Sequence, residues 1–322
     1  MKPTISVPGR TTLASPLGVG LATLMREPSR SRQLALLEAA YEAGYRHFDV
    51  APSYGLGTAE SVVGAFLRRR HDGISVGTKV GIRARGNAGL MRSLQRPARA
   101  LLRRFPALRG RATQAVGSAV HVPPDFSIPF CDRSLDASLR ALGVEHLDIL
   151  LLHEPTPAAL ADGQAVDWIQ EQRRRGRVRA TGIASSAAAA AAILAAHPRA
   201  FDVAQMPSSV LAPTVASLGE LTPALVVTHG VIATPLARAK MQLARNPAWG
   251  EALTRIAGVD AGANGMLTKI LLACALHENP NGIVLVGSSS EPHLRAAPEA
   301  VGAFEPSHLD AAGDFLRETL SE

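Results

Sequence analysis

The sequence predicts an α/β chain closed into a (β/α)8 barrel of the TIM type, on three observations. Strand-like and helix-like runs alternate along almost all of the 322 residues, and eight strand–helix units are the number that closes a parallel barrel. The strands are short apolar runs, Leu147–His153 (LDILLLH) most clearly, of the kind that parallel sheets bury on both faces. Such a barrel needs about 250 residues, and the remaining ~70 fit an N-terminal cap (Met1–Ser15), a long insertion (Gly81–Phe130) and a C-terminal helix. The whole chain, 1–322, reads as one barrel domain with no linker.

Taken in order, Pro16–Ala22 is the first strand and Ser31–Ala43 a helix stopped by Gly44. Arg46–Ala51 is the second strand, followed by helix Ala59–Arg70, strand Ile74–Val80 and helix Asp132–Leu142. Leu147–His153 is the fourth strand, followed by helix Ala165–Arg175, strand Val178–Ala184, the poly-alanine helix to Ala196 and strand Phe201–Met206. A helical run at Gly219–Thr228 is expected before a seventh strand at Val231–Thr234. Helix Gly265–Leu276, strand Gly282–Val286 and helices Pro292–Ala300 and Ser307–Leu320 complete the pattern. The rival, a doubly wound dinucleotide fold, would rest on Gly18-Val-Gly20-Leu-Ala-Thr23. Thr23 stands where close helix packing needs Gly or Ala, and no helix begins until about Ser31.

Composition narrows the class. Hydrophobic residues make up 47% of the chain and charged ones 19%, which excludes a disordered chain. Two cysteines, Cys131 and Cys274, match no metal or redox spacing. The N-terminus lacks the apolar core of a signal peptide, and no apolar run reaches the ~18 residues of a membrane span. A soluble, cytoplasmic protein is the expectation. Basicity is local. Gly73–Pro124 contains Lys79, nine arginines and no acidic residue, so this segment carries more than the whole net charge of +7. Within it, AGLMRSLQRPARALLRRF interleaves apolar residues with arginine. The readings are a solvated loop, a lid favouring an anionic substrate, or a surface for a membrane or an acidic polymer. Nucleic acid is not expected, since Phe105 is the only aromatic residue in Gly81–Gly110.

A barrel of this kind carries its active site at the C-terminal ends of the strands. Those positions hold Asp49 and Tyr54 after the second strand, Lys79 on the third and His153 on the fourth. Together they suit carbonyl reduction, in which charge builds on an oxygen that needs a proton donor already in place. A free phenol titrates near 10, and an adjacent ammonium is expected to lower that by about 1–3 units. Lys79 would supply the charge, Asp49 would hold the lysine and His153 would orient the substrate oxygen.

GYRHFDVAPSYG, GTKVG and SLDASLRALGVEHLDILLLHEP, followed by GRVRATGIAS, FDVAQMP and IVLVGSSSEPHLRAA, resemble the aldo-keto reductase family from about Pro16 to Ala300. The APSYGLGTAES loop and the HEP ending look most like its aldose 1-dehydrogenase branch. The resemblance implies a tetrad of Asp49, Tyr54, Lys79 and His153, with Tyr54 as general acid or base. It also implies an extended NADP(H) or NAD(H) over the mouth.

Cofactor positions carried over from the family are Gly20, Gln205 against the nicotinamide amide, Ser185 after Ala184, and Thr234, Pro235 and Leu236. The family's ring-stacking aromatic falls at Ala233. After the last strand come Gly287, Ser288, Ser289, Ser290 and His293, with Ala297 where an asparagine often meets the adenine. The serines could hold phosphate at a helix start. No metal is implied. The competing reading is a nicotinamide-nucleotide sensor or partner-docking barrel with little chemistry, motivated by the altered cofactor positions and the basic insertion.

Overall fold

The computed structural model describes residues 4–10, 13–27, 29–69, 72–83, 123–221 and 223–320. A hairpin, β1 (Ile5–Ser6) and β2 (Leu13–Ala14), precedes eight parallel strands that close into a barrel. In chain order these are β3 (Leu17–Gly20), β4 (His47–Asp49), β5 (Ser75–Val80), β6 (Leu147–His153), β7 (Val178–Ala184), β8 (Val203–Pro207), β9 (Leu225–His229) and β10 (Ile283–Val286). Each strand pairs with its neighbours in sequence, and β10 pairs with β3 to close the ring.

Period-two alternation sorts the side chains. Ile149, Leu151, Val203, Leu225, Val227, Ile283 and Leu285 fill the barrel. Leu150, Leu152, Ala204, Met206, Val226 and Val284 face outward and pack beneath the helices. This two-sided burial explains the continuous apolar runs. Gly182 is needed for close approach, because a Cβ there would lie 2.1 Å from the Val203 carbonyl oxygen.

The hairpin stoppers the N-terminal end, where Ile5, Val7 and Ala14 join the interior cluster. Arg10 donates to Asp148 at 2.6 Å, and the other Asp148 oxygen accepts the Val76 N–H at 2.9 Å. The N-terminal end of the barrel is therefore closed.

The structure corrects the sequence reading in one place that matters for function. The seventh barrel strand is β9, Leu225–His229, where a helix was expected, and Val231–Thr234 is not a strand. Leu225-Val-Val-Thr has the β-branched content of a buried strand, with Pro223 before it and Gly230 (φ 76°) turning the chain after it. Ala233 through Leu236 consequently form the first turn of helix Ala233–Arg245.

That helix and Pro247–Ala257 fill a stretch left unassigned from sequence. With Met266–Glu278 and Pro306–Leu320 they build a second cluster around Trp249, which stacks on Phe315 and donates to Thr319 at 2.8 Å. The helix expected at Asp132 starts earlier, at Ile128, with a proline in its first turn. Most of the proposed insertion, including the arginine-rich run, lies outside the described residues. Its two ends meet beside the barrel mouth, where the Asp125 N–H donates to the Gly81 carbonyl at 2.8 Å and Arg83 pairs with Asp125 at 2.5 Å. Among the described residues no helix is long and apolar enough to cross a membrane.

Candidate active site

The four residues read from sequence as a proton-transfer site are brought to one end of the barrel. Asp49 and His153 are the last residues of β4 and β6, and Lys79 is the penultimate residue of β5. Tyr54 opens a short 3-10 turn above β4. This turn depends on glycine, because Gly55 (φ 59°) and Gly57 (φ 83°) take left-handed backbone that other residues adopt only at a cost. The Thr58 hydroxyl donates to the Gly55 carbonyl at 2.8 Å and pins the turn. The PSYGLGT sequence thus places a phenol over the strand ends.

Lys79 is the centre of the arrangement. Its ammonium lies 2.7 Å from both oxygens of Asp49 and 3.2 Å from the Val50 carbonyl, with lysine and aspartate only 2% and 3% exposed. Nζ stands 5.0 Å from the centroid of the Tyr54 ring. The His153 ring meets Tyr54 edge to face, with centroids 6.2 Å apart and planes at 83°. Burial pushes the Lys79 ammonium down more than any single neighbour pushes it up, but the charge of Asp49, the Tyr54 phenol and the hydrogen bonds to both together hold the lysine above its ordinary value. His153 is pushed down to about 3, mainly by burial and then by Lys79, so its imidazole is neutral.

Tyr54 departs from the expectation. Burial raises its pKa above 10.0 and outweighs the opposing charge of Lys79, so the phenol keeps its proton at neutral pH. The ammonium moderates the shift without reversing it, because its charge is already largely answered by Asp49. A protonated phenol beside a neutral imidazole suits donation to a carbonyl oxygen.

The proposed cofactor positions divide into groups. Gln205 on β8 is buried, and its Oε1 has no hydrogen-bond partner among the described residues, so it presents an acceptor. Gly20 and Gly287 stand at the ends of neighbouring strands, where an added Cβ would meet nothing nearer than 3.7 Å. Open backbone at these two glycines and an unpartnered Gln205 amide oxygen, all at barrel strands, fit a flat ring that carries a carboxamide. Ser185 is committed elsewhere, its hydroxyl donating to the Pro155 carbonyl at 2.9 Å, while Ala184 is buried.

In the loop after β10, the Ser290 N–H donates to the Ser288 hydroxyl at 3.0 Å. Ser289 and His293 are exposed, and Ala297 is turned into the core. In the helix that replaces the expected strand, Ala233 and Thr234 are exposed and Pro235 is buried. The residue at the true end of that strand is His229, which sequence reasoning missed. Alternation from the inward-facing Leu225 and Val227 puts His229 on the same side at the mouth, where it is solvent-exposed but crowded enough that desolvation lowers its pKa, with the charges of Asp49 and Lys79 also reaching it. A His-Gly pair closing an apolar LVVT run was the available signal.

Two buried histidines make stability depend on pH. His47 is lowered to about 4, mainly by burial, and His153 to about 3, against 6.5 in an unfolded chain. Below 6.5 the unfolded state binds protons that the folded state refuses, so stability present above that pH is lost as pH falls. Each histidine adds a slope of about 1.4 kcal/mol per pH unit inside its window. Urea denaturation between about pH 6 and 4.5 should show this steep loss, and His47→Gln should remove about one proton from the slope. An unchanged slope would show that His47 titrates normally in the folded chain.

A separate groove of about 470 Å³ lies on the outer surface, lined by Leu34, Glu38, Glu291 and Arg295 among others. It contains none of the mouth residues, so the groove and the cluster of Tyr54, Lys79 and His153 are separate features.

Comparison with known proteins agrees with this geometry. Over 181 residues, 52% of this chain and 49% of the relative, the sequence is 34% identical to D-threo-aldose 1-dehydrogenase of a Pseudomonas species. Over 164 residues, 50% of this chain and 46% of the relative, it is 32% identical to pyridoxal 4-dehydrogenase of Microbacterium luteolum. The chain thus spans about half the length of the curated relatives it matches. An aldo-keto reductase from Klebsiella pneumoniae, solved in complex with NADPH, shares the fold with a TM-score of 0.63 at 18% identity, covering 94% of this chain and 90% of that one. The sequence profile of the aldo/keto reductase family matches residues 16–309, and the chain belongs to that family.

Proposed function

We propose that this chain interconverts a carbonyl and an alcohol by NAD(P)(H)-dependent hydride transfer, with Tyr54 as general acid in reduction and general base in oxidation. The observation that carries this reading is the buried Lys79, held by Asp49 and standing under the Tyr54 ring. A lysine so enclosed costs desolvation that a merely structural strand end would not need. When bound, the nicotinamide supplies the hydride to the carbonyl carbon or takes it from the alcohol carbon. The carbonyl oxygen sits between the Tyr54 hydroxyl and the neutral His153 imidazole, Tyr54 hands over its proton as the oxygen gains charge, and Lys79 stabilises the phenolate left behind.

Gln205 would take the carboxamide of the nicotinamide, and His229, at the inward end of β9, would offer a ring face where Ala233 had been expected. The substrate class that best suits this mouth is a small aldehyde or an aldose in its lactol form. The matched dehydrogenases are named for an aldose and for pyridoxal.

Fluorescence titration with NADPH and NADH, followed by assays on aldoses, pyridoxal and simple aldehydes, tests the reading. Gln205→Ala should weaken NADPH binding by about tenfold, the worth of a hydrogen bond of about 1.4 kcal/mol. Tight cofactor binding with no turnover of any substrate, and no effect of removing the Tyr54 hydroxyl, would favour the sensor instead. That alternative drew support from Ala233, and His229 at the true strand end weakens it.

A further inference from the structure

The residue after His153 carries a feature that the tetrad does not use. Glu154 has φ 53°, one of two non-glycine residues in the left-handed region among those described. This backbone costs a side-chain-bearing residue about 1–2 kcal/mol, and glycine or asparagine would take it more cheaply. The loop is fixed in that shape from both sides. The Glu154 N–H donates to the Ala184 carbonyl at 2.7 Å, and Ser185 donates to the Pro155 carbonyl at 2.9 Å. The glutamate side chain itself is exposed and, among the described residues, makes no hydrogen bond or ion pair. These hydrogen bonds hold the strained backbone, yet among the described residues the glutamate side chain makes no contact that requires it there, and strain of this kind gathers where a ligand is handled.

The position of Glu154 says which ligand. It follows the last residue of β6, at the mouth, and its charge reaches the Tyr54 phenol, where it opposes ionisation. Lys79 and Asp49 cancel each other as a contact pair and the His153 imidazole is neutral, so among the described residues of this group Glu154 carries the charge that no contact answers. A carboxylate has only acceptor oxygens, which receive strong hydrogen bonds from hydroxyl groups and repel an anion.

We propose that Glu154 is a specificity residue of the mouth, binding hydroxyl groups of a neutral polyhydroxylated carbonyl substrate and turning away carboxylate-bearing ones. This rests on the oxidoreductase reading above and reverses the preference for anions that the basic insertion suggested.

Three aldehydes of equal chain length separate the effects: butanal, D-erythrose and succinic semialdehyde. Glu154→Gln keeps the shape and removes the charge, and Glu154→Asn removes it in a residue that accepts left-handed backbone. Both variants should raise KM for erythrose by about tenfold or more with kcat within about twofold, as expected for loss of a charge-assisted hydrogen bond. Butanal kinetics and NADPH affinity should stay within about twofold, and KM for succinic semialdehyde should fall by about threefold or more. Equal changes for erythrose and butanal, or no change for either, overturn the inference alone, provided wild-type butanal reduction depends on the Tyr54 hydroxyl. If the wild-type protein turns over none of the three, the oxidoreductase reading falls and this inference with it.

Discussion

Replacing Tyr54 with phenylalanine is expected to lower kcat by about a thousandfold while leaving the affinity for NADPH within about twofold. General acid–base catalysis by one positioned group contributes about 10²–10⁴-fold, and the substitution removes the group without altering its packing. The ring still meets His153 edge to face and still lies over Lys79, so the fold around it loses only a hydroxyl. The elevated phenol pKa gives the prediction a second readout. Reduction needs the protonated phenol and should be flat through neutral pH. Oxidation needs the phenolate and should rise with pH until the raised pKa is passed. In Tyr54→Phe both the rate and its alkaline rise should vanish. An alkaline rise that survives the substitution would assign proton transfer to another group.

The site was legible where residue types and strand ends coincided. Asp49, Lys79 and His153 sit on strands whose apolar runs leave little ambiguity, and Tyr54 stands in a loop whose glycines announce a tight turn. The seventh strand was harder because LVVTHGVIAT contains two β-branched apolar runs separated by His229 and Gly230. Choosing between them requires knowing which run pairs with its neighbours, and pairing is a tertiary fact. The strand Leu225–His229 lies between β8 and β10, while Val231 packs outward. That slip carried the cofactor wall from His229 to Ala233.

The raised pKa of Tyr54 is illegible for a related reason, since a lysine can be read from sequence but the burial that outweighs it cannot. Glu154 gives no sequence signal of its left-handed backbone, because it is neither glycine nor asparagine. The alanine-rich and amphipathic helices were located well except between Ala233 and Ala257. There two helices follow each other across Asn246–Pro247 without a strand between them, so the alternation that organised the rest of the chain was silent.

Asp49→Asn should be the most damaging conservative substitution for stability, costing about 3–5 kcal/mol in urea denaturation. The pair is buried and bidentate, so removing one partner leaves the other charge enclosed without compensation. In the intact protein Asp49, with smaller help from Tyr54 and the hydrogen bonds to both, offsets burial and holds the Lys79 ammonium above its ordinary 10.5. The stabilisation from Lys79 is therefore fully present below that pH and lost only as pH climbs past the raised value in the folded state. Without Asp49, burial, the largest single influence on Lys79, loses its main opponent and drives the lysine toward its neutral form, so the phenolate at Tyr54 also loses its stabilising charge. Asp49→Asn should consequently lose activity as well as stability.

Lys79→Met should do the same from the other side, leaving the Asp49 carboxylate alone. The double variant distinguishes the two roles of the pair. Replacing both charges removes the penalty of an unpaired ion, so Asp49→Asn with Lys79→Met should recover about 1–3 kcal/mol relative to the sum of the single losses. Activity should not recover, because the group that stabilises the phenolate is absent. Recovery of both would mean that the pair serves the fold alone, and a strictly additive stability loss would mean that the two charges do not interact as their 2.7 Å contacts imply.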